Sequence, residues 1–203
     1  MLGIIDTGYG NIHAISNCLR KAGAKCESFN EPNNISYDGL ILPGVGNFDS
    51  YMYKLNERGF TEYLKQKNDE NLPILGICVG MHALANSSEE GSAQGLGLIS
   101  GNVARIRTKH VLPHMGWNSI TVSSTSNLFN GIDIRRGFYF LHNFVFKTTS
   151  RSDIIADAEY GISITCAINK RNCFGVQFHP EKSHDNGIKL FQNFWEISQN
   201  AKA

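Results

Sequence analysis

At 203 residues, 41% hydrophobic and 18% charged, the chain can bury one full core, and residues 1–203 are read as a single domain. A net charge of +1 without blocks of like charge argues against nucleic-acid and membrane partners, and no apolar run approaches the ~20 residues of a membrane span. Five cysteines with no C-x-x-C pair, and an N-terminus without the basic and cleavage regions of a signal peptide, fit a reducing, cytoplasmic compartment.

In chain order, residues 2–6 form an apolar strand, and residues 11–22 have helical spacing through Ile12, Ile15, Leu19 and Ala22, stopped by Gly23. Residues 25–29 and 39–42 read as strands, 49–58 and 61–66 as helices, and 73–77 as a fourth strand. Short apolar strands alternating with helices predict an α/β fold with a mostly parallel open sheet covered on both faces, flavodoxin-like in kind. From residue 97 the pattern changes. Residues 97–106, 117–122, 137–146, 154–160 and 161–169 are strand-like and separated by short polar turns, which predicts an antiparallel extension. Residues 173–178 rejoin the main sheet, and 187–197 form an amphipathic helix.

Two segments carry chemistry. In Gly76-Ile77-Cys78-Val79-Gly80 a thiol follows a buried strand and precedes a helical stretch over 81–86, with glycines at i−2 and i+2. That is the pattern of a nucleophile elbow, whose helix start favours a thiolate. About a hundred residues on, His179-Pro180-Glu181 ends a strand with an imidazole and a carboxylate, and Pro180 is expected to hold the chain extended between them. Cys78, His179 and Glu181 together make a triad for acyl transfer. Pro43-Gly44-Val45-Gly46 closes the third strand, and its N–H groups with that of Val79 form a candidate oxyanion hole. Phosphate fingerprints and metal-ligand spacing are absent, so no cofactor and no metal is expected. Glu90 is placed to meet a substrate amino group, His142 to add an imidazole near the site, and His13, His110 and His184 to lie on the surface.

These segments, with Asp6-Thr7-Gly8-Tyr9-Gly10-Asn11, Pro113-His114-Met115-Gly116-Trp117-Asn118 and Gly175-Val176-Gln177-Phe178-His179-Pro180-Glu181-Lys182-Ser183, resemble class I (triad-type) glutamine amidotransferases over nearly the whole chain. Within them the strings are most similar to glutaminase subunits of imidazole glycerol phosphate synthases. The resemblance implies hydrolysis of glutamine to glutamate and ammonia. The ammonia would pass to a (β/α)₈-barrel cyclase in a heterodimer that makes imidazole glycerol phosphate and aminoimidazole carboxamide ribonucleotide in histidine biosynthesis. It further implies that Cys78 is the nucleophile, His179 the general acid–base and Glu181 its orienter. Gly44, Val45, Gly46, Val79, His82, Glu90, Asn143 and Phe144 would bind substrate or its oxyanion, and Asn11, Trp117 and Lys182 would line the partner side and ammonia passage.

The sequence departs from the family at His82, where a glutamine is usual, at Asn143 in place of Ser or Thr, with Phe144 as the aromatic that follows, and at Thr7 in place of Tyr. A histidine at position 82 is expected to contact substrate and, titrating near ~6.5, to make glutamine binding pH-sensitive. Alternative readings are a paralogous subunit feeding another amination, such as amidino-sugar formation, a free-standing hydrolase of γ-glutamyl bonds, and a cysteine-based sensor on a flavodoxin-like sheet.

Overall fold

The computed structural model describes residues 1–123 and 126–201. The first half builds β1 (Leu2–Ile5), α1 (Ile12–Lys21), β2 (Cys26–Phe29), β3 (Gly39–Gly44), α2 (Phe48–Glu57), α3 (Phe60–Asp69), β4 (Ile74–Cys78) and α4 (Val79–Ala83). The second half adds β5 (Ser87–Ser88), β6 (Gly101–Arg105), β7 (His114–Asn118), β8 (Thr121–Val122), β9 (Phe138–His142), β10 (Phe144–Thr148), β11 (Ile154–Glu159), β12 (Ser163–Lys170), β13 (Cys173–Val176) and α5 (His184–Asn200).

The main sheet runs β2-β1-β3-β4-β13-β12-β11-β8. Its first five strands are parallel, and β12, β11 and β8 extend it antiparallel. Every residue of β1, β3, β4 and β13 is buried, as strands covered on both faces must be. Helices α1 and α5 pack together on one side, and α2 packs against α3 and α4. This is the α/β architecture expected from the alternation of strand and helix signals.

Two of the expected strands divide. Residues 117–122 split between β7 and β8, and 137–146 between β9 and β10, each half joining a different sheet. β9 pairs with β7, and β10 with β6. Asn143 is the hinge between them, and its carbonyl accepts from the Ile106 N–H at 2.9 Å. The elbow helix is shorter and earlier than expected, at Val79–Ala83, and the last helix is longer, at His184–Asn200. Among the described residues no helix is long and apolar enough to cross a membrane.

The carboxyl ends of β3, β4 and β13 lie side by side, with Gly44 opposite Cys78 and Val176 opposite Ile77. In parallel sheets this edge is where sites form, and it carries Cys78 and the start of the segment that leads to His179.

Candidate active site

Cys78 ends β4 at φ 55°, ψ −112°, a left-handed backbone that a non-glycine residue adopts only under constraint. The constraint is close packing of backbone on backbone. A Cβ on Gly80 would stand 1.8 Å from the Leu42 carbonyl oxygen, and one on Gly76 would stand 2.6 Å from the Gly80 oxygen. The two glycines therefore let α4 fold back against β3. Because α4 has only five residues, the charge near the sulfur comes from side chains and first-turn N–H groups rather than from a long helix dipole.

The chain leaves β13 through Gln177 and Phe178 and reaches His179, whose N–H donates to the Tyr139 carbonyl at 2.9 Å. Residue 179 is extended, as a residue before proline should be. Beyond it the expectation fails. Pro180–Lys182 is a 3₁₀ turn with proline at its first position, and this turn, not an extended segment, folds Glu181 back onto the ring. Glu181 Oε1 lies 2.8 Å from His179 Nδ1, with the two side chains 2% and 3% exposed. Burial alone would lower the His179 pKa, but the Cys78 sulfur and the Glu181 carboxylate outweigh it and push it up to about 10.

Cys78 and His179 open onto a cavity of about 180 Å³, of amino-acid scale, whose walls include Val45, Gly46, Val79 and Glu90. The site thus sets a thiol on a strained turn, an imidazole beside it and a buried carboxylate on that imidazole. That arrangement can attack a carbonyl carbon and protonate a departing amine. The family model for class-I glutamine amidotransferases matches residues 3–197.

The chain belongs to the class-I glutamine amidotransferases.

Among its relatives, the imidazole glycerol phosphate synthase subunit HisH of Bdellovibrio bacteriovorus is 43% identical, over 97% of this chain and 100% of that one. Subunit HisH 2 of Methanococcus maripaludis is also 43% identical, over 96% and 98%. The enzyme thus sits among the HisH subunits. The structure of PurLQS from Thermotoga maritima shares the fold with a TM-score of 0.76, at 15% identity over 97% of each chain.

The remaining residues of this amidotransferase fall into three groups. His82, Asn143, Phe144 and Lys182 line the same cavity as the triad. So do Leu141 and His142, of which only His142 carried a sequence signal, as a second imidazole. Glu90 Oε2 accepts from the Phe48 N–H at 3.0 Å, which anchors it on the start of α2, and burial pushes its carboxyl up. Gly44 stands apart from the walls. It is buried, and a Cβ there would come within 2.6 Å of the Gly80 nitrogen, so it supports the elbow from beneath.

Asn11 and Trp117 also lie outside the cavity. Asn11 caps α1, with Oδ1 accepting from the Ala14 N–H at 3.3 Å. Trp117 is half exposed and stacks flat on His184, ring centroids 5.3 Å apart. Lys182 Nζ sits 5.5 Å from the centre of the Tyr139 ring. Among the described residues no cluster of His, Cys, Asp and Glu is placed to hold a metal ion.

His82 differs most from its expected behaviour. It is 3% exposed, and burial pushes its pKa down to about 4 against the opposing Gln177 hydrogen bond. It is therefore neutral from pH 6 to 8 and cannot make glutamine binding pH-sensitive there. His114 and His142 are likewise held low by burial, at about 4 and about 3. His142 Nδ1 meets the Phe144 carbonyl at 2.8 Å, and its Nε2 lies 2.9 Å from His114 Nδ1. A carbonyl only accepts, so His142 carries its proton on Nδ1 and His114 donates to Nε2. This pair braces the turn around Asn143.

Proposed function

We propose that this HisH-type amidotransferase hydrolyses glutamine through a γ-glutamyl thioester on Cys78 and delivers the ammonia to a (β/α)₈-barrel cyclase subunit. The observation that carries the reading is the buried His179–Glu181 pair at 2.8 Å, set beside a thiol on a strained elbow. The Cys78 thiol gives its proton to His179 Nε2 as the sulfur attacks the γ-carbonyl carbon, the C–N bond breaks, and His179 passes that proton to the leaving ammonia. His179 then takes a proton from water, whose oxygen attacks the thioester carbonyl; glutamate leaves and the thiol is restored. Glu181 keeps the imidazole proton on Nδ1 throughout and does not itself exchange protons. Glu90 meets the α-ammonium, and the Val45, Gly46 and Val79 amides face the oxyanion. In this reading His142 braces the Asn143–Phe144 wall.

The partner would dock on the β7–β9 ribbon. There Met115 pairs with Leu141 and Trp117 with Tyr139, and Met115, Trp117 and Leu141 are exposed apolar side chains. Lys182 lines the cavity and reaches over the Tyr139 ring of this ribbon, where ammonia would leave, and Asn11 would face the same side. The cytoplasm is the setting that suits a biosynthetic pair of this kind.

The test is glutamate release by the chain with and without a barrel cyclase loaded with its acceptor. Gly46, at φ +93°, lets the loop after β3 turn its peptides at little steric cost, so completing the oxyanion hole on docking should raise the rate about 10²–10³-fold per donor. Equal rates for the isolated chain and the complex would favour a free-standing hydrolase instead.

A further inference from the structure

We propose that Gln177 is a positioning residue for the Cys78 sulfur, and that His82 holds Gln177 to that task. The inference rests on Cys78 being the nucleophile. Gln177 is fully buried where the chain leaves β13, and its N–H donates to the Cys166 carbonyl at 2.9 Å, which fixes its backbone to β12. Both ends of its carboxamide are engaged. Oε1 lies 2.7 Å from His82 Nε2, and Nε2 lies 3.9 Å from Cys78 Sγ.

The first contact dictates the second. An amide oxygen only accepts, so the neutral His82 ring carries its proton on Nε2 and donates it. The amide NH₂ is then turned toward the sulfur, its hydrogen-bond partner among the described residues. A thiol is a weak acceptor and a thiolate a strong one, so this N–H favours the charged sulfur, and the contact tightens as the charge develops. His179 supports the sulfur from one side, and the His82–Gln177 line supports it from within the sheet. An apolar residue would fill the position at less desolvation cost; the amide's distinct contribution is the donor aimed at Cys78. His82 thus acts through Gln177 rather than on the substrate.

The other titratable groups around the sulfur are His179 and Tyr51 and, along the cavity, Glu90, His142 and Lys182. All of them stay unchanged in the variants that test the proposal. The experiment follows alkylation by iodoacetamide from pH 6 to pH 10, with the labelled cysteine mapped by mass spectrometry. The chains compared are wild type, Gln177→Met, His82→Gln and the double variant His82→Leu/Gln177→Met. Loss of the donor should slow Cys78 alkylation about tenfold at pH 7 in both variants lacking Gln177, with the gap to wild type closing as pH rises. A packing defect would not converge in this way.

His82→Gln can still donate to Gln177 and should stay within about twofold of wild type. The double variant removes both buried partners together, so no orphaned N–H remains and the test survives if Gln177→Met alone misfolds. Superimposable curves for wild type and the folded double variant overturn the proposal while leaving Cys78 as nucleophile. A wild-type label on another cysteine overturns both.

Discussion

Replacing Glu181 by glutamine separates the orienting role of the carboxylate from the chemistry at His179. With the pair 3% and 2% exposed, solvent screens it little. Oε1 accepts from Nδ1, which leaves Nε2 for the Cys78 side, while Oε2 is buried without a hydrogen-bond partner. A glutamine has two ways to fit this slot, and both are poor. With its oxygen on Nδ1 the tautomer survives, but an NH₂ group takes the Oε2 position as a buried orphan, at about 1–3 kcal/mol. With its NH₂ on Nδ1 the imidazole proton moves to Nε2 and the base beside Cys78 is lost. The expected result is a fall in kcat of about 10³–10⁴, as when the carboxylate of a comparable triad is removed, and about 10² further for His179→Ala. Loss of the carboxylate also removes one of the two groups that hold the His179 pKa at about 10, so imidazolium should disappear at lower pH in the variant. Glutamate release by the chain saturated with its barrel partner is the assay, with circular dichroism to check folding. A Glu181→Gln variant within tenfold of wild type, or as damaged as His179→Ala, would refute the division of roles.

Glutamine KM should be flat from pH 6 to 8 in both wild type and His82→Gln, because a group with a pKa of about 4 is only about 1% charged at pH 6; a pH-dependent wild-type KM abolished by the variant would contradict this. The low values at His82, His114 and His142 predict acid lability. The native state binds fewer protons than the unfolded chain between pH 6.5 and about 4, so stability is present above that window and lost as pH falls through it. His82 alone should contribute on the order of 3 kcal/mol, read from urea unfolding at pH 7 and 4.5, and an unchanged midpoint would count against buried neutral histidines. Gly80→Ala drives a methyl group into the Leu42 carbonyl and should lower stability by about 1–3 kcal/mol or more while moving the loop after β3, so that glutaminase activity falls further than thermal stability does. Full activity in that variant would mean that the elbow tolerates separation from β3.

The parts of the site that could be read in the sequence are those whose geometry is local. Gly76 and Gly80 flank Cys78 because α4 must touch β3, and that requirement leaves its mark within five residues. The apolar runs of β1, β3 and β4 announced a parallel sheet for the same reason, since both of their faces are covered. What escaped depends on pairings distant in the chain. Residues 137–146 look like one strand, and only the separate claims of β7 and β6 divide them at Asn143. Gln177 reads as an ordinary residue of the strand over 173–178 until β4 and α4 bring Cys78 and His82 against its two ends. His82 carried a chemical signal but no signal for burial, and burial is what decides its charge. The Pro180 turn leaves no such mark, because proline fixes the residue before it more strongly than the two after it.

The central claim is that Cys78 carries the γ-glutamyl group. Rapid acid quench of the partner-saturated enzyme during glutamine turnover, followed by peptide mass spectrometry, tests it directly. The account predicts one γ-glutamyl adduct on the peptide containing Cys78, accumulating where hydrolysis is slowed and absent in Cys78→Ala. An adduct on Cys18, Cys26, Cys166 or Cys173, or glutamate release that persists in Cys78→Ala, would contradict it.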